Sequence, residues 1–133
     1  MLMGASWAVL LGGCGQQSGL QKVPLTGGVT FDGDPIPNGE VLFYPIEGTQ
    51  GSVSGGPIKD GRYFAQGRGG VPLGVHRVEI RAFRAPTKAY TGAVAVEGGP
   101  AEQYLPPKFN IDSSLRAEVE SSTSTIDFNL TSD

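Results

Sequence analysis

Gly74-Val75-His76-Arg77-Val78-Glu79-Ile80-Arg81-Ala82-Phe83 sets the fold class of this chain. His76, Val78, Ile80 and Ala82 fall on one side of an extended segment, and Arg77, Glu79 and Arg81 fall on the other. A period of two sends successive side chains to opposite faces, so the stretch predicts a strand with one apolar face. The same alternation recurs on both sides of it. Upstream, Val23 to Phe31 groups Val23, Leu25, Val29 and Phe31 against Thr26 and Thr30. Glu40 to Ile46 offers Val41 and Phe43 as its inward pair, and Pro45, which has no N–H to donate, limits pairing beyond that point. Downstream, Leu115, Ala117 and Val119 alternate with Arg116, Glu118 and Glu120. Ile126, Phe128 and Leu130 alternate with Asp127 and Asn129.

Turn chemistry separates these runs. Asp32 to Gly39 predicts a turn, and Asp60-Gly61 within Ile58 to Tyr63 predicts a tight hairpin, because such turns require positive φ. Gly48 to Pro57 and Gly67 to Gly70 predict loops. Arg84 to Asn110 lacks strong periodicity, apart from a short strand expected over Ala93 to Val96. The 21 Gly and 10 Pro are spread through the chain and no helical period appears. The expectation is an all-β domain over residues 23–133, a single antiparallel β-sandwich of about seven strands.

The formal net charge is −3, which does not support a nucleic-acid binder. The charges segregate along the chain. Lys59, Arg62, Arg68, Arg77, Arg81, Arg84 and Lys88 precede an acidic half holding Glu97, Glu102, Asp112, Glu118, Glu120, Asp127 and Asp133. Strand pairing between the two halves is the expected cause.

Residues 1–13 are uncharged and mostly apolar, too short to span a bilayer but the right length for the apolar region of a signal peptide. They end at Leu11-Gly12-Gly13-Cys14, and Cys14 is the only cysteine. This stretch resembles the lipobox of bacterial lipoproteins: an aliphatic residue, two small residues, then the cysteine whose thiol becomes a thioether to diacylglycerol. The resemblance implies a signal peptide over 1–13 and Cys14 as the lipidated, palmitate-bearing mature N-terminus. It also implies a tether over 14–22 and a domain held at the cell envelope outside the cytoplasm. Gly15, where some such proteins carry Asp, favours the outer membrane. No Lys or Arg occurs before Lys22, so a start upstream of Met1 is expected.

The segment Val23-Pro24-Leu25-Thr26-Gly27-Gly28-Val29-Thr30-Phe31-Asp32-Gly33-Asp34-Pro35-Ile36 resembles the opening of the carboxypeptidase regulatory-like domains, a strand followed by an Asp-Gly-x-Pro turn. Asp60-Gly61-Arg62-Tyr63 resembles the hairpin of those domains. Pro72-Leu73-Gly74-Val75-His76-Arg77-Val78-Glu79-Ile80 resembles their long strand. The closing part, from Tyr104-Leu105-Pro106-Pro107-Lys108-Phe109-Asn110 to the last strand, is similar to small lipoproteins built on this domain. The likeness spans about residues 23–131 and implies an Ig-like, transthyretin-like fold. One position departs from it: His76 stands where the family has an aromatic, and a buried imidazole needs a hydrogen-bond partner.

Catalytic constellations are missing from the sequence. His76 is the only histidine, and no nucleophile-elbow motif accompanies it, so a core role is expected over a small hydrolase centred on it. Zinc needs several His or Cys ligands. Asp32, Asp34 and Asn38 are fewer oxygens than a calcium loop gathers, and Pro35 and Pro37 interrupt them. The glycine-rich loops lack the helix and lysine of a phosphate cradle. Neither a cofactor nor a metal is implied. The expected function is a non-enzymatic binding or structural domain on a lipid anchor at Cys14, with an envelope protein or a glycan as partner. A carbohydrate- or cell-wall-binding module would use Tyr90, Tyr104 and Phe109 as stacking surfaces.

Overall fold

A computed structural model describes residues 20–85, 89–91, 94–96 and 101–133. In chain order the strands are β1 (Lys22–Val23), β2 (Leu25–Phe31), β3 (Asp34–Pro35), β4 (Asn38–Pro45), β5 (Ser54–Lys59), β6 (Arg62–Ala65), β7 (Val71–Pro72), β8 (Gly74–Arg84), β9 (Ala89–Thr91), β10 (Val94–Val96), β11 (Glu102–Gln103), β12 (Arg116–Val119) and β13 (Phe128–Leu130). Short 3₁₀ turns lie at Gly67–Gly69 and Pro107–Phe109. The chain is all-β, as its alternation predicts.

One hydrogen-bonded path runs β11-β8-β4-β5-β6-β2-β13, with β12 also on β8 and β3 on β2. β8 is the longest strand. β4 follows it from Gly39 opposite Ala82 to Pro45 opposite His76. At the start of β8, β12 takes the other edge, with Ala117 opposite His76. β9 and β10 form a separate hairpin, which contains the strand expected near Ala93 to Val96. Every pair is antiparallel except β13, which lies parallel to β2.

The path cannot be flat. β4 and β13 are four strand positions apart, about 19 Å at normal spacing. Their inward rings, Phe43 and Phe128, nevertheless have centroids 6.4 Å apart, and Tyr63 of β6 touches both. The sheet therefore curls over one core that joins Leu25, Val41, Phe43, Val78, Ile80, Tyr63, Val119 and Leu130. Tyr63 Oη donates to the Ile126 carbonyl at 2.7 Å, tying β6 to the approach of the last strand.

Two hairpins use the same turn. Asp60 and Gly61 have φ of 49° and 81° between the paired Lys59 and Arg62, and Asp32 and Gly33 have φ of 50° and 86° between Phe31 and Asp34. Asp-Gly fits because both central residues must enter the left-handed region. The loop expected over Gly48 to Pro57 is corrected: β5 begins at Ser54. A Cβ on Gly55 would lie 2.1 Å from the Val41 carbonyl oxygen, and one on Gly56 would lie 1.8 Å from that of Phe64. The glycines that resemble a loop are what lets this strand pass between its neighbours. Lys22, expected in the tether, belongs to β1 and sits opposite Pro72 of β7.

Candidate functional site

The residues singled out in the sequence do not converge. Cys14 and the side chain of Tyr90 lie outside the described residues; the Tyr90 backbone is in β9, opposite Ala95. Phe109 is only 7% exposed, and its ring stands edge-on to Phe31 at 6.1 Å between centroids. It packs the core, so its faces are not open to a sugar. Tyr104 is half-buried against the core, and the Arg84 guanidinium sits 5.2 Å from its ring centroid.

His76 is shut off from solvent on the inward face of β8, edge-on to the Phe43 ring. Nδ1 lies 3.2 Å from the Gly74 carbonyl oxygen, and Nε2 has no hydrogen-bond partner among the described residues. Burial holds the imidazole below its ordinary pKa of 6.5, with the Gly74 contact opposing in part. With Nε2 orphaned, nothing described here is placed to exchange a proton with it. The partner that burial demands is present for one ring nitrogen and absent for the other.

The outward face of β8 carries a charged network. Glu79, 7% exposed, accepts from Arg77 and, at 2.9 Å, from Arg81. Tyr44 Oη on β4 points at the same carboxylate at 3.4 Å. Arg77 also donates to the carbonyls of Ser113, Asn110 and Ile111, fastening that segment over the strand. Burial alone would raise the Glu79 carboxyl, but hydrogen bonds and charge from the two arginines outweigh it and hold the group below its usual 4.5. The expected pairing of the basic and acidic halves holds at Arg84 and Glu102, 3.6 Å apart. Elsewhere the register opposes it: Arg116 of β12 faces Arg77 of β8, and each reaches a carboxylate on its own side, Glu47 or Glu79. Among the described residues, no three His, Cys, Asp or Glu side chains gather as a metal site.

The fold also makes a cleft that the sequence does not announce. β4 follows β5 from Ser54 to Lys59, whereas β6 pairs with β5 only at Ile58 and Lys59. The edge of β5 at Ser54-Gly55 therefore has no ladder partner on its far side, where the Gly67–Gly70 turn and β1 approach. Between them is a cleft of about 270 Å³ lined by Lys22, Ser52, Ser54, Gly55, Arg68 and Pro72, among others. Lys22 Nζ donates to the Arg68 carbonyl at 3.2 Å, joining β1 to the turn.

No protein-family model matches the chain, and no curated protein or solved structure matches it either.

Proposed function

We propose that this chain is a lipid-anchored envelope protein whose β domain binds or braces a partner and carries out no chemistry of its own. The observation that carries the reading is Leu11-Gly12-Gly13-Cys14, which puts the lone thiol eight residues ahead of Lys22, the first residue of the first strand. Acylation by two or three chains gives stable membrane attachment, since each buried CH₂ contributes about 0.8 kcal/mol and one chain holds only marginally. The domain then hangs from its N-terminal edge. Burial of the one histidine, with its Nε2 unpartnered, supports a non-catalytic role for it. The glycan reading is weakened by the packing of Phe109.

The test is metabolic labelling with a palmitate analogue. Wild-type chain is expected to take up label and to partition with membranes, and Cys14→Ser to do neither. Absence of label on the wild type, or equal label on both, rejects the anchor.

A further inference from the structure

We propose that the cleft between β5, β1 and the Gly67–Gly70 turn is a binding site for a phosphate-type oxyanion. Three independent observations meet there. The first is charge. Lys22 and Arg68 both line the cleft, and neither has a carboxylate partner among the described residues, although the chain as a whole is acidic. Arg68 is exposed and Lys22 half-buried, so the two charges form one positive rim open to an anion from solvent.

The second is an orphaned hydroxyl. Ser54 lines the same cleft, and its Oγ is closed to water without a hydrogen-bond partner. Buried polar atoms are nearly always satisfied, so the exception calls for a missing partner. A change of χ1 to another staggered rotamer would carry Oγ to the open side, where its hydrogen can meet an acceptor oxygen. The third is backbone conformation. Arg68 has φ 54° and ψ 33°, in the left-handed region that non-glycine residues seldom occupy. Gly69 and Gly70 follow with φ of 92° and 107°, so Arg68 begins a left-handed run that brings the chain to β7. The hydrogen bond from Lys22 to the Arg68 carbonyl holds the turn against β1 and leaves the ammonium with further donors. The sequence offers no lysine next to this glycine-rich turn. The fold supplies one from 46 positions upstream.

The chemistry fits an oxyanion with several acceptor oxygens. An ammonium, a guanidinium fork and a hydroxyl are donors, and no described acid lies in the lining to repel the ligand. Two sources share this chemistry: inorganic phosphate and the phosphodiester of an anionic lipid. The second source rests on the lipid-anchor reading; the site itself does not. Lys22 lies eight positions after Cys14, a reach of at most about 30 Å, so an anchored domain could set this cleft at a head-group layer.

The test uses the full chain carrying Cys14→Ser, so that no lipid masks the result. Inorganic phosphate, titrated while backbone amide resonances are followed, is expected to give saturable shifts centred on Lys22, Ser54 and Arg68. The Lys22→Gln/Arg68→Gln double variant should bind at least about tenfold more weakly, and Ser54→Ala should weaken binding while leaving the fold intact. In a second arm, sedimentation with phosphatidylglycerol vesicles that phosphate competes away identifies the lipid source. Phosphate binding without vesicle binding identifies the free anion. Shifts that do not saturate, or that are the same in the double variant, overturn the site. Failure of palmitate labelling would sink the anchor and leave the phosphate titration readable.

Discussion

Val78 and Glu79 are neighbours on β8, and both are hidden from water, but opposite physics holds them. Val78 faces Phe43 across the β4–β8 pair and is covered by non-directional packing of apolar side chains. Glu79 faces outward, where a strand residue normally meets solvent. It is covered because Arg77 and Arg81 close over its carboxylate and because Arg77 ties the segment from Asn110 to Ser113 down beside it. The inward face needs the right volume, and the outward face needs the right donors at fixed angles. A charge run that resembles a solvated face is here a staple. Its arginines are committed to structure, whereas Lys22 and Arg68, far apart in sequence, meet at a cleft with no acid in its lining.

The comparison can be broken most severely at Phe43. Its ring meets Tyr63, His76 and Phe128 and so joins the two ends of the curled sheet. Phe43→Ala is expected to cost about 3–5 kcal/mol, the transfer loss plus the cavity left behind. Urea unfolding followed by tyrosine fluorescence would measure it, and a loss below about 1 kcal/mol would mean that the curl is held elsewhere. On the outward face, Glu79→Gln keeps the shape and removes the charge. It leaves two half-buried arginines without their counter-ion, and the expected cost is about 2 kcal/mol. Because the native carboxyl titrates below 4.5, its contribution is present above that pH and fades as pH falls through the native value. The wild type should therefore lose its advantage over Glu79→Gln in that acid window. Equal stability of the two proteins at neutral pH would show that the network is decorative.

Much of this was legible in the sequence. The faces of β8 and the inward pairs of β4, β12 and β13 follow from alternation, and the hairpin at Asp60-Gly61 follows from its turn residues, because both signals are local; the second hairpin, at Asp32-Gly33, lies within what reads only as a turn. What escaped depends on register or on distant chain. β5 was hidden because Gly55 and Gly56 are selected for their lack of a Cβ, and that same composition reads as a loop. The charge pairing was misjudged at Arg77 and Arg81, which satisfy Glu79 two residues away in their own strand instead of the acids near the C-terminus. The assignment of Phe109 to a stacking surface failed because no periodicity marks the turn that drives its ring into the core. Nothing in the order of residues could bring Lys22 to the Arg68 turn.

The smallest effect expected belongs to the one polar group on the inward face. His76 is neutral in the fold because burial depresses its pKa, while in the unfolded chain it titrates near 6.5. As pH falls below that value the unfolded state takes up a proton that the folded state refuses, so stability drops. The loss begins near pH 6.5 and continues down to the native pKa. Between pH 7 and pH 6 it amounts to at most about 0.7 kcal/mol, the limit for a histidine that stays neutral when folded. Phe43, the Gly74 carbonyl and the cross-strand neighbours Pro45 and Ala117 lie about His76, and none of them titrates. His76→Phe restores an aromatic ring, removes the orphaned Nε2 and should flatten the stability profile between pH 7 and pH 6 without loss at pH 7. A wild-type profile that is already flat there would mean that the imidazole takes up its proton in the fold as readily as in the unfolded chain. The apolar face of β8 would then hold a charge, and the contrast with its outer side would disappear.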